Sequence, residues 1–217
     1  MPTTMHLSNP LKLFITWLIS VTGAFSLLAI IGVFPLSRAV AFMRIGFDDL
    51  LIHFLIGMII GLLVGISQWL VLRHFFSFTL SWVVATVVGF AVGWLIGLPI
   101  ANALMILGSK YTGQGGPPSM LGYGLSIGVS IALSQWVFFR SRVKHASWWL
   151  VVTMFGWTIA WIIKTPLPVD HITRGIWLLV MLLNGLIVGS VYGTITGIGI
   201  VFLGHPWSRT ITDTTAQ

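Results

Sequence analysis

Six runs of the chain, about residues 11–34, 50–72, 79–106, 119–139, 147–165 and 174–203, are almost uninterruptedly apolar, and the charged residues they hold, Lys12, Lys164 and Arg174, sit at run ends. A helix needs about 20 apolar residues to cross roughly 30 Å of hydrocarbon, where every backbone N–H and C=O must be paired within the segment. The same runs could form the core of a soluble protein only beneath a polar shell. With 57% hydrophobic and 7% charged residues there is nothing to build that shell from. The expected fold is all-α, a polytopic integral membrane protein with about six transmembrane helices. The first run follows Lys12 as a signal peptide would, but it is longer than a signal-peptide core and lacks a small-x-small cleavage pattern. It is expected to be a true span.

The formal charge of +7 does not point to nucleic acid, because the eleven basic residues are scattered among connections and do not gather on one face. They act as topology signals. Six spans put Lys12, Arg73, Arg140, Arg142, Lys144 and Arg209 on one side, and Arg38, Arg44, Lys110, Lys164 and Arg174 on the other. The compact group Arg140, Arg142 and Lys144 tips the count towards cytoplasmic N- and C-termini, in a bacterial inner membrane. The chain has no cysteine, which removes disulfides, thiolate metal sites and cysteine nucleophiles.

The segment GISQWLVLR, Gly65 to Arg73, returns as ALSQWVFFR, Ala132 to Arg140. Sliding the chain by this offset aligns Gly57, Gly61, Gln68, Trp69, Arg73, Trp82, Thr86, Gly89, Trp94 and Pro99 with Gly124, Gly128, Gln135, Trp136, Arg140, Trp149, Thr153, Gly156, Trp161 and Pro166, without a gap. Leu, Val and Ile coincide easily between two apolar segments, whereas Trp, Gln, Arg and Pro in register indicate duplication of a helical hairpin. The last run carries a further half unit, with Gly185, Gly189, Gly193 and Thr196 at the spacing of Gly57, Gly61, Gly65 and Gln68. The organisation expected is a single membrane domain over 1–217: first span and interfacial helix at 1–49, repeat 1 at 50–106, repeat 2 at 119–173, half repeat at 174–203 and tail at 204–217.

At 100° per residue the four stripe positions point to about 0°, 40°, 80° and 20°, one narrow helix face where backbones can approach closely. Packing is the simplest use of such a face. The glutamines say more, since an amide facing hydrocarbon must find a partner or water. Thr86, Thr153 or the other copy's Gln are the candidates. The stripes of Gly61, Gly128 and Gly189, with Gln68, Gln135 and Thr196 at their rim, could serve three ends: a helix interface, a groove for an apolar ligand, or a pathway.

Five residues separate each Gln from Arg73 or Arg140, roughly 7–8 Å along a helix, so Trp69 and Trp136 fall at the headgroup level as interfacial anchors or ligand contacts. His53, four residues before Gly57, is the histidine expected inside a span; it is the one candidate axial ligand for a tetrapyrrole metal and otherwise a helix-start hydrogen-bonding residue. No other metal site and no catalytic residue is expected: Asp48, Asp49, Asp170 and Asp213 fall in connections or the tail, and none of His6, His74, His145, His171 and His205 makes an i, i+4 pair with a carboxylate. Gly108 to Met120, GSKYTGQGGPPSM, reads as a connector or a gate, and Ser37 to Asp49 as a short helix along the interface.

The twice-written G-x3-[GA]-x2-QW-x3-R, each followed by W-x3-T-x2-G-x4-W, and the closing G-x3-G-x-x-T-G resemble bacterial multi-spanning proteins built from tandem Gly/Gln/Trp hairpins, a group with no established activity. The resemblance covers 57–166 and 185–203 and implies architecture only. From the residues themselves, the expected function is non-catalytic: an accessory or scaffold subunit, or a binder of an apolar ligand such as lipid, quinone or pigment. Its partners are then membrane lipids and possible membrane subunits. The alternative is a transporter or pore for a small neutral or anionic solute.

Overall fold

A computed structural model describes residues 9–31, 47–75, 80–112, 116–140, 145–163 and 174–203. They form six helices: α1 (Pro10–Ile30), α2 (Phe47–Phe75), α3 (Ser81–Thr112), α4 (Gly116–Phe139), α5 (Ser147–Ile163) and α6 (Arg174–Leu203). Five are long and apolar enough to cross a membrane, and α5 is a shorter apolar helix of 17 residues. The fold is that of an integral membrane protein. Asn9 caps α1 by accepting from the Lys12 N–H at 2.9 Å, with Pro10 in the first turn where its missing N–H is harmless.

Most of the segment Gly108–Met120 belongs to helices, contrary to the connector expected there. Its first five residues end α3, its last five begin α4, and 113–115 lie outside the described residues. The Pro117-Pro118 pair falls in the first turn of α4, where proline fits a helix as well as it breaks one. The interfacial helix expected over Ser37–Asp49 lies largely outside the described residues, and only its last three, 47–49, are seen, as the start of α2.

Each helix packs chiefly on its neighbours in chain order, and α6 returns to pack on α1, closing a ring. Within the ring the glycine stripes do one job three times. A β-carbon added to Gly61 would stand 2.7 Å from Val87 Cα on α3, one at Gly128 3.1 Å from Met154 Cα on α5, and one at Gly189 2.7 Å from Thr22 Cα on α1. Gly57 and Gly65 likewise meet Ala91 and Val83, and Gly185 and Gly193 meet Phe25 and Leu18. The glycines therefore zip each hairpin on itself. α1, which stands outside the repeat in sequence, is the missing partner of α6: it takes the place in a third hairpin that α3 and α5 take in the first two, although it comes first in the chain.

Trp17, Trp82 and Trp149 make one layer of the centre, Phe25, Phe90 and Trp157 the next, two helical turns along; all six are buried. The Trp157 ring sits 5.4 Å from Phe25 and 5.2 Å from Phe90. Leu72, Phe139 and Ile200, one turn beyond Gln68, Gln135 and Thr196, cover the layer on its other side and are fully buried. Leucine, isoleucine and valine dominate the outer face, with Leu62, Val84, Leu133 and Ile198 all about half exposed. In hydrocarbon that inversion carries no penalty.

Two outcomes test this arrangement. Gly61→Ala and Gly189→Ala push a methyl into a facing backbone and are expected to destabilise by about 1–3 kcal/mol, while Gly23→Ala, with open space around it, is neutral or up to about 1 kcal/mol stabilising, in detergent unfolding curves. Because Gly197 meets Phe14 and Trp17, the end of α6 and the start of α1 lie together. A circular permutant that joins them by a short linker and opens between Ile31 and Phe47 is expected to keep its helicity and cooperative unfolding; a molten product would refute the third hairpin.

Candidate functional site

The three hairpins bring their polar residues to one central layer. Each tryptophan indole points its N–H at the polar residue of its own hairpin's glycine helix: Trp82 Nε1 donates to Gln68 Oε1 at 3.2 Å, Trp149 Nε1 to Gln135 Oε1 at 3.0 Å, and Trp17 Nε1 to Thr196 Oγ1 at 3.0 Å. The rings also touch. Trp149 lies 6.2 Å from Trp17, edge to face, and 6.0 Å from Trp82.

Hydrogen bonds then link hairpins. Gln135 Nε2 donates to Gln68 Oε1 at 3.0 Å and to Thr86 Oγ1 at 2.9 Å, and Thr86 passes its own proton to the Trp82 carbonyl at 2.9 Å. Two N–H groups converge on Gln68 Oε1, which fixes the orientation of that amide: turned over, it would set three donors face to face. Thr196 donates to the Tyr192 carbonyl at 2.6 Å. Tyr192, fully buried, holds its hydroxyl beside the Gln68 side chain without the geometry of a hydrogen bond. Gln68, Gln135, Thr86, Thr153 and Thr196 are all fully buried.

Of the site residues expected from sequence, Gln68, Gln135 and Thr196 come together here, while Gly61, Gly128 and Gly189 are taken up in hairpin contacts. Trp69 and Trp136 lie apart, half-buried on the flank of the bundle, with the exposed Arg73 and Arg140 guanidinium groups 4.9 Å and 5.3 Å from their ring centres. Such cation–π pairs suit the membrane surface, where the ring is partly in hydrocarbon and the cation in water. His53 is fully buried towards the other end of the bundle, 6.0 Å from the Trp94 ring. Around it Tyr123 stacks on Trp161 at 5.4 Å, and Trp94 meets both edge-on. Among the described residues no three His, Cys, Asp or Glu side chains gather as a metal site would require.

Two residues of the central layer escaped sequence reasoning, Trp17 and Tyr192. Trp17 keeps the tryptophan of the motif, but the rest of W-x3-T-x2-G-x4-W reads Val21, Ala24 and Ala29 in α1. Its partner helix follows about 170 residues later, so no forward slide of the chain pairs them.

The outer face carries a different feature. Between α3 and α4 runs a furrow of about 670 Å³ lined by Val88, Val92, Ile96, Leu104, Leu125 and Leu133 among others. Ser126, Ser130 and Ser134 also face it, yet their hydroxyls donate to the backbone carbonyls of Gly122, Ser126 and Ile131 at 2.7–2.9 Å. Their protons are thus spent within the helix, so the furrow presents an apolar wall. A smaller hollow of about 400 Å³ lies at the next boundary, between α5 and α6.

No protein-family model, curated protein or solved structure matches the chain. Gln135→Leu removes three interhelical bonds at once and is expected to lower stability by about 2 kcal/mol, at roughly 0.6 kcal/mol per bond within a membrane. Trp69→Leu touches none of them and should change stability by under about 1 kcal/mol, both read from reversible unfolding in detergent.

Proposed function

We propose that this chain is a non-catalytic integral membrane protein that holds the hydrocarbon chain of a lipid or isoprenoid along the α3–α4 furrow. In this reading it sits in a bacterial inner membrane with both termini cytoplasmic, the side on which Arg73, Arg140, Arg142 and Lys144 gather. The observation that carries the proposal is the furrow's shape. From Val88 to Leu104 it follows 17 residues of α3, about 24 Å, and its walls are apolar along that length because the serine protons are spent within α4. An extended hydrocarbon chain matches that length and asks for no polar partner, which supports the ligand-binding reading.

The transporter alternative lacks a comparable observation. Fully buried Trp, Phe and Gln side chains fill the axis where a pathway would run, and the glycine stripes that might have lined it meet facing backbones.

The test is lipid extraction and mass spectrometry of protein purified in mild detergent. The wild type is expected to carry a lipid or isoprenoid at near-stoichiometric amount, and Val92→Trp combined with Leu125→Trp, which fills the furrow from both helices, to lose it several-fold while helicity is kept. Equal lipid content in the two proteins would falsify the assignment.

A further inference from the structure

Three fully buried side chains at the central layer, one from each hairpin, keep a polar atom without a hydrogen-bond partner among the described residues: Gln68 Nε2, Thr153 Oγ1 and the Tyr192 hydroxyl. Their origin can be traced through the threefold pattern. At the boundary between the first two hairpins, the Gln135 amide spans the gap and donates to both Gln68 Oε1 and Thr86 Oγ1. One hairpin further on, the same duty would fall to residue 196, reaching back to Gln135 and Thr153. That residue is threonine, two bonds shorter than glutamine, and its hydroxyl is already committed to Trp17 and the Tyr192 carbonyl. Thr153 is left over. At the last boundary Gln68 would donate to residue 196 and to the α1 counterpart of Thr86, which is Val21 and has no acceptor. The Gln68 N–H is left over too. Tyr192 stands where the other glycine helices carry Val64 and Ile131, and its hydroxyl reaches the Gln68 side chain.

We propose that these three groups form a hydration site at the centre of the bundle: one water molecule accepts from Gln68 Nε2 and exchanges hydrogen bonds with the hydroxyls of Thr153 and Tyr192. The chemistry selects a ligand that both donates and accepts from a single small atom. An amide donor and two hydroxyls make the three partners that a buried water ordinarily takes, and each would otherwise carry a desolvation penalty in a medium with nothing else to bond. The three hydroxyl or amide groups come from three separate hairpins, so the water bridges all of them where only the first boundary has a direct amide link.

Thr153→Val and Tyr192→Phe discriminate, because each removes an oxygen with little change of shape. With the water in place, each variant leaves it under-coordinated and the remaining groups unsatisfied, and the unfolding midpoint in detergent falls by several degrees. If the groups are dry orphans, deleting one relieves a penalty. A midpoint unchanged or raised in both variants overturns the site. A crystallographic or electron cryo-microscopy map of the wild type, fine enough to show ordered water, gives the independent readout: a peak in contact with Gln68 Nε2, Thr153 Oγ1 and the Tyr192 hydroxyl is expected. Gln68 bonded directly to Tyr192 with no such peak overturns it.

Discussion

How near two helix backbones can come decides nearly everything else in this bundle. Lipid tails are as apolar as leucine, so burial of hydrocarbon gives helices little reason to associate, and contact dispersion and hydrogen bonds must hold them. Stripes such as Gly57-Gly61-Gly65 and Gly185-Gly189-Gly193 let the facing helix settle until an added β-carbon would stand 2.6–3.2 Å from its atoms. The polar residue that follows each stripe on the same face is thereby brought against the partner helix within reach of its tryptophan. A Trp–Gln bond across a hairpin is thus a consequence of the glycines two and three turns away. The aromatic layers fill what is left between three such zipped pairs.

Within the spans, among the described residues, the interior is accordingly more polar and more aromatic than the outward face, the reverse of a soluble protein. Such an interior specifies one arrangement in a way leucine cannot. Leucine against leucine tolerates rotation about the helix axis, whereas a buried amide that loses its partner has no water to turn to. Gln135 shows the constraint at its sharpest: Trp149 occupies its oxygen, and Gln68 and Thr86 occupy its two protons. A turn of α4 by one residue would strand all three. The polar layer therefore sets the register of the ring, and the glycines set its diameter.

Much of this was legible in the sequence, because the repeat wrote it twice. The spans, the hairpin unit and the common face of the stripe follow from periodicity, and the helix bounds agree with them to within a few residues except at Gly108–Met120. There, glycine and proline punctuation suggested a loop, and helical turns at both ends absorbed it. The third hairpin was not legible, since its halves lie at opposite ends of the chain and α1 has kept only Trp17 of its motif. Closure is a property of the ring and leaves no mark at fixed spacing. Nor could the sequence say that Gln68 and Gln135 would meet, because two hairpins zipped on themselves can be set side by side in several ways. Position within each helix was readable; position around the axis was not.

Departures from threefold symmetry distinguish the hairpins from one another. A faithful third copy would close the amide ring and give all three boundaries the same polar link. Instead Thr196 and Val21 break it at the two boundaries of the third hairpin, and the bulk that compensates is Tyr192, drawn into the centre from α6. On the outer face the boundary between α3 and α4 is the one that combines Gly89 and Gly93 with three serines, all small, so the helices meet at their cores while the space above them stays open. At the equivalent boundary between α5 and α6, Ile195 stands where Ser134 stands and leans on Gly156, and the corresponding hollow is smaller and displaced towards Trp148 and Phe202. Small side chains at one boundary and larger ones at the next leave more room between α3 and α4 than between α5 and α6. Three hairpins of like build thus differ in the shape of the outer faces between them.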